Sequence, residues 1–225
     1  MSSQIRQQEI DLQGWTILKQ VMTSEECDKI KSMYNQSGLF RSRIQMNRHG
    51  FGSGEYQYFQ YPLPKTIQKL RENFYHSLLP LANCWRNIWE QPLFPKEYAQ
   101  FLSLCSETKQ SRPTPLILKY KAGDYNRLHQ DLYGEWVFPL QAAILLSEPH
   151  KDFCGGEFVL TEQKPRSQSS VSVVPLSKGD AVVFTVNQRP VKSQRGYFRV
   201  KMRHGVSQVR HGERYTLGLI MHDSS

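Results

Sequence analysis

The sequence predicts an α+β protein whose N-terminal helices pack against a C-terminal β-sandwich of jelly-roll type. Two features carry that prediction. Before Pro113, apolar residues recur mostly at steps of three and four, the period of a helix with one buried face. After it, short apolar runs are parted by Gly, Asp and Pro signals with no βαβ alternation, as in all-β sandwiches. A chain of 225 residues can bury one sizeable core, so residues 1–225 are read as a single domain. Within it, 1–112 form a mainly helical part and 113–225 the jelly-roll core.

The elements follow in order. WTIL at 15–18 reads as a short strand. Thr23 to Glu26 matches a capping box, and Cys27, Ile30, Met33 and Tyr34 then continue a helix until Gly38 stops it. From Lys65, Ile67, Leu70, Phe74, Leu78, Leu81, Trp85 and Ile88 mark a long amphipathic helix that Pro80 should kink or divide. A shorter helix near Pro95 carries Tyr98, Phe101, Leu102 and Cys105 on one face. Seven or eight strands are then expected in PLILKY, VFPLQAAILLS, EFVLTE, VSVVPL, DAVVFTV, YFRVKMRHGVS and RYTLGLIMH. The stretch EQKPRSQSS at 162–170 reads as a hairpin loop.

Composition narrows the function. No apolar run approaches the roughly 20 residues a bilayer requires, and the start MSSQIRQQEIDLQG has no apolar core of a secretory signal, so a cytoplasmic protein is expected. Cys27, Cys84, Cys105 and Cys154 include no C-x-x-C pair, which argues against a zinc knuckle or disulfide framework and for buried free thiols. The net charge of +9 is concentrated near the end, with eight Lys or Arg against one acid, Glu213, between Gln188 and Arg214. Such a strip could attract phosphates, and it could equally be a solvated face.

In NRLHQDLYGE, His129 and Asp131 stand two apart, the spacing that puts both side chains on one side of a strand. Alone the pair reads as a polar turn. His204 offers a third ligand, 73 residues after Asp131. Two imidazoles and a carboxylate on one face of iron(II) leave positions open for a cosubstrate and dioxygen. Arg214 and Thr216 follow, sharing a strand face, where a guanidinium fork and a hydroxyl could hold the remote carboxylate of a dicarboxylic cosubstrate.

The pattern H-x-D, a long gap, then H-x9-R-x-T resembles the iron(II)/2-oxoglutarate-dependent dioxygenases. The resemblance implies a double-stranded β-helix, His129, Asp131 and His204 as iron ligands, and Arg214 with Thr216 anchoring 2-oxoglutarate. Tyr120 would contact the cosubstrate. O2 would be the second substrate, with ascorbate a compatible reductant. RSRIQMNRHGFGSGEYQYFQYPLP at 41–64, RPTPLILKYKAGDYNRLHQDLYGEWVFPLQ at 112–141, GGEFVLTEQKPR and KGDAVVF are similar to a bacterial family of these oxygenases predicted to act on damaged nucleic acid. The likeness runs from Gly14 to Asp223. It implies hydroxylation, or oxidative demethylation of an N-methyl group.

For the substrate, Tyr125, Asn126 and Arg127 beside the ligand pair, and His49 and Tyr56 in the glycine-rich segment 41–64, are expected to line the entrance. That segment reads either as a lid stacking a flat substrate or as a hairpin packed on the sandwich. A protein side chain or small molecule stays open as substrate. So does a non-catalytic cupin-like module holding a metal or a small acid.

Overall fold

Strands of this chain that are buried on both faces organise the rest. The computed structural model describes residues 7–225, so the reading of the first six residues as free of a signal lies outside the described residues. In chain order the helices are α1 (Gln7–Gln13), α2 (Ser24–Met33), α3 (Lys65–Ile88) and α4 (Tyr98–Glu107). The strands are β1 (Trp15–Leu18), β2 (Phe40–Gln45), β3 (Gly52–Ser53), β4 (Glu55–Phe59), β5 (Leu116–Lys121), β6 (Tyr125–His129) and β7 (Leu140–Leu145). After them come β8 (Phe153–Gly155), β9 (Phe158–Gln163), β10 (Ser170–Val174), β11 (Ala181–Thr185), β12 (Gln188–Ser193), β13 (Gly196–Val206) and β14 (Val209–Leu219).

Two antiparallel sheets result. The larger runs β1-β11-β7-β14-β5-β4-β2, with β8 beside β14, and the smaller runs β10-β9-β13-β6-β3, with β12 beside β13. All residues of β7 and β11 are buried, which explains why QAAIL and AVVFT read as continuous apolar runs rather than alternating ones. Ala142, Ile144 and Val183 join the core under α2, α3 and α4. Their neighbours Ala143, Val182 and Phe184 pack against Phe158 and Leu160 of the smaller sheet. The larger sheet is thus the middle layer, helices cover one face, and the smaller sheet's outer face meets water. This is the double-stranded β-helix expected from the sequence.

The capping box forms as read: Thr23 Oγ1 accepts from Glu26 N and the Glu26 carboxylate accepts from Thr23 N. Helix α2 closes at Met33, ahead of Gly38. Pro80 does not divide α3, which runs unbroken for 24 residues. The lost N–H bond and ring clash cost about 3 kcal/mol, but buried side chains on both sides of Pro80, from Phe74 and Leu78 to Leu81 and Trp85, enter the same core and keep the halves aligned. Arg71 of α3 is fully buried and donates to Asp223 Oδ1 (2.8 Å), the Ile220 carbonyl (2.8 Å) and Thr114 Oγ1 (3.1 Å), fastening the helix to both ends of the sheet region.

The N-terminal part is not helical alone. β1 pairs with β11, and β2 and β4 extend the larger sheet through β4 and β5. Most of the segment 41–64 is therefore an integral hairpin rather than a lid, because its backbone is bonded to β5 and its tip to β6. Of the cysteines, Cys27 and Cys105 are buried, whereas Cys84 is exposed and Cys154 half-buried; all four are free. Among the described residues no helix is long and apolar enough to cross a membrane.

Candidate metal centre

The cavity lies between the two sheets, and His129 reaches it through an irregularity in β6. His204 pairs with His129, but Val206 pairs with Asn126, so two residues of β6, Arg127 and Leu128, oppose one of β13, Gly205. That bulge changes the phase of the strand, turning both Asn126 and His129 inward. Gly205 permits it: a Cβ there would lie 2.7 Å from the Asn126 carbonyl oxygen.

Three donors converge. Ligating atoms of His129, Asp131 and His204 all lie within 4.8 Å of one another. His129 Nε2 is 3.6 Å from Asp131 Oδ1 and His204 Nε2 is 3.3 Å from Asp131 Oδ2. His129 Nδ1 donates to the Arg127 carbonyl at 2.7 Å, which fixes the ring and leaves the Nε2 lone pair facing the other two ligands. Tyr133 Oη donates to Asp131 Oδ1 (2.7 Å) and Gln141 Nε2 to Oδ2 (2.9 Å), so the carboxylate is clamped at both oxygens. Burial raises the Asp131 carboxyl, but the two imidazoles and the Tyr133 hydroxyl outweigh it and hold the group well below the usual carboxylate range. Burial and the neighbouring His204 depress His129, favouring its neutral, ligating form. A carboxylate and two imidazoles that, among the described residues, bond to no Lys or Arg side chain fit a divalent cation.

Arg214 presents the complementary problem. It is 1% exposed, and among the described residues no carboxylate lies within ion-pair distance of it, Glu157 acting only from farther away. Nη1 donates to Thr216 Oγ1 at 2.6 Å, while Nε has no partner. Burial pulls its pKa down to about 10. A buried guanidinium without a counter-ion is costly, and both Arg214 and Thr216 line the same cavity as the three donors. Such a site fits a bound carboxylate. Tyr120 is also fully buried there, its hydroxyl unpartnered and its ring 5.7 Å from the guanidinium.

Gly156 makes room for that arginine. Its φ is +62°, and a Cβ would lie 2.9 Å from Arg214 Cδ and 2.8 Å from Val209 Cγ2. Gly156→Ala should displace the guanidinium and raise KM for an anionic cosubstrate about tenfold, with a smaller change in kcat. Steady-state kinetics over cosubstrate concentration check this, and an unaltered KM would remove Gly156 from the account.

Of the residues expected at the entrance, Tyr56 and Asn126 line the cavity. His49, Tyr125 and Arg127 are not among its lining residues: His49 is exposed and stacked on Phe51, and the exposed Arg127 donates to the Gly50 carbonyl. The bulge explains the split, since it turns Asn126 inward and Arg127 outward. Sequence reasoning passed over Tyr133 and Gln141; Tyr58, an aromatic of the segment 41–64, also lines the cavity, its hydroxyl 3.3 Å from that of Tyr133. Gln141 had a signal, as the one polar residue in a strand buried on both faces.

Fold and site together define a class: the chain is an oxidoreductase of oxygenase type, with a candidate metal centre of two imidazoles and one carboxylate. Residues 54–224 match the family described as "Oxygenase, catalysing oxidative methylation of damaged DNA", and the chain belongs to that family. It is 46% identical over 168 residues to an uncharacterised protein found in two strains of Mycobacterium tuberculosis, covering 74% of this chain and 72% of the relative. Among solved structures it is similar to a Pseudomonas putida prolyl-4-hydroxylase, with TM-score 0.58, 13% identity and 97% of each chain covered. It is also similar to a 2OG-Fe(II) family oxidoreductase from Burkholderia pseudomallei, with TM-score 0.53, 16% identity and coverage of 97% and 91%. At such identities these two likenesses speak to the fold.

Proposed function

We propose that the protein binds iron(II) through His129, Asp131 and His204, anchors the remote carboxylate of 2-oxoglutarate on Arg214 and Thr216, and oxidatively demethylates damaged nucleic acid. The observation that carries this reading is one cavity holding three donors bonded to no cationic side chain and, on the same walls, a buried arginine with no ion pair among the described residues. When bound, iron(II) with 2-oxoglutarate and O2 supplies hydroxylation of a C–H bond, yielding succinate and CO2. An N-methyl group so hydroxylated breaks down to formaldehyde and the parent N–H, which makes removal of methyl groups the direction of the chemistry.

The protein's own residues orient and enclose. Tyr133 and Gln141 hold Asp131 so that each oxygen keeps a free lone pair for the metal. The unpartnered Tyr120 hydroxyl can donate to the cosubstrate. The apolar walls from Leu118, Phe158, Phe184 and Val206 keep water away, strengthening the Arg214–carboxylate attraction. Ascorbate is compatible as the reductant that keeps iron ferrous. The four free cysteines accord with a reducing, cytoplasmic setting.

Support for a nucleic-acid substrate comes from charge placement as well as family. Arg199, Lys201 and Arg203 are exposed on β13 while Val200, Met202 and His204 are buried, so the cations form an outward row about 6.7 Å apart. None makes an ion pair among the described residues. Phosphate contacts should make binding steeply salt-dependent, and Lys201→Gln with Arg203→Gln should reduce the log–log salt slope by about 2. The deciding experiment incubates iron-loaded protein with methylated oligonucleotides, cell peptides and metabolites and follows products by mass spectrometry. Demethylated oligonucleotide is expected; a hydroxylated peptide or metabolite in its place would overturn the substrate assignment and leave the chemistry standing.

A further inference from the structure

The mouth of the cavity carries a feature the chemistry does not use. Phe51 lines the cavity yet is 47% exposed, and its ring stacks on the exposed His49 with centroids 5.4 Å apart and planes 22° from parallel. Leu128 and Leu132, which flank the ligands His129 and Asp131 in sequence, are 44% and 46% exposed. A lone exposed apolar side chain needs no explanation, but an exposed aromatic ring that also lines the cavity and is stacked on a second exposed ring marks a contact surface.

The platform is held rigidly. Phe51 N donates to the Met46 carbonyl at 3.1 Å, its own carbonyl accepts from Arg127 N at 2.9 Å, and Gly52 pairs with Asn126. At Gly52, φ is +136° and a Cβ would lie 2.4 Å from the Tyr125 carbonyl oxygen, so the chain passes too close to β6 for any other residue. Arg48 lies three residues before Phe51 and Arg127 is brought beside it by the pairing with β6, where one of its guanidinium nitrogens donates to the Gly50 carbonyl; both are exposed and neither makes an ion pair among the described residues. A flat ring backed by a second ring, with exposed guanidiniums that no carboxylate neutralises, matches a nucleobase with its phosphates better than it matches a peptide, which would call for paired backbone donors and acceptors.

We infer that Phe51, backed by His49, stacks on the nucleobase next to the one being demethylated, so that the target base enters the cavity turned out of its stack. The inference rests on the nucleic-acid reading above and adds how the strand is held. A base inside a helix cannot reach a metal between two sheets, and its removal leaves the neighbour's face open for an aromatic ring.

The test compares two substrates carrying the same N-methylated base, an oligonucleotide and the free mononucleoside. Phe51→Ala should raise KM for the oligonucleotide about ten- to hundredfold relative to KM for the mononucleoside, since only the oligonucleotide has a neighbouring base to stack. Phe51→Tyr should restore most of the loss. A 2-aminopurine placed beside the methylated base should be quenched on binding wild-type protein and much less by Phe51→Ala. Equal effects on both substrates, or none, would overturn the inference while leaving demethylation intact. Failure of wild-type protein to demethylate either substrate would instead bring down the nucleic-acid reading, and this inference with it.

Discussion

Asp131→Asn is expected to reduce turnover by about 10³-fold or more and to weaken iron(II) binding at least 100-fold. The side chain keeps its size, so the prediction isolates charge. Asp131 is the anionic member of the triad, and loss of roughly 4 kcal/mol of cation stabilisation corresponds to that factor. The amide also reverses one hydrogen bond: its NH2 would face either the Tyr133 hydroxyl or the Gln141 amide, both of which now donate to the carboxylate. Equilibrium dialysis against iron(II) and succinate formation would report the two effects separately. Retention of metal binding and turnover by a folded Asp131→Asn protein would remove the triad from the mechanism.

Arg214→Met should weaken cosubstrate binding while strengthening the fold without cosubstrate. KM for 2-oxoglutarate should rise about 100-fold, because a charge-assisted, forked pair worth about 3 kcal/mol is lost. The protein without cosubstrate should become more heat-stable by a few degrees, because the methionine removes a guanidinium buried without a counter-ion. Added 2-oxoglutarate should then raise the wild-type melting temperature but not that of the variant. Lysine is no rescue, since it lacks the planar fork. A variant less stable than wild type in the absence of cosubstrate would mean that Arg214 is satisfied by the protein itself.

The parts of this molecule legible in its sequence are those governed by local rules or by burial. The Thr23 capping box, the helical stripe from Ile67 to Trp85 and the apolar runs of β7 and β11 each announce their structure through spacing alone. The cluster of His129, Asp131, His204 and Arg214 was legible because residue type, order and spacing agree along the chain. Features set by distant partners were not. The hairpin of β2 and β4 joins the larger sheet only because β5, more than fifty residues later, offers it an edge. The bulge in β6 depends on Gly205 in β13, and without it the inward or outward direction of Asn126 and Arg127 cannot be read from alternation. Pro80 predicted a break that packing on both sides of it prevents. Gln141 and Tyr133 clamp Asp131 from another strand and a loop, contacts that no periodicity encodes.

The most direct test of the central claim is the stoichiometry of one reaction. Iron(II)-loaded protein is mixed with 2-oxoglutarate, O2 and an N-methylated oligonucleotide, and succinate and formaldehyde are counted together. The account predicts equal amounts of the two, both dependent on iron and both lost in Asp131→Asn. Formaldehyde released without succinate, or either product formed undiminished by Asp131→Asn, would contradict it.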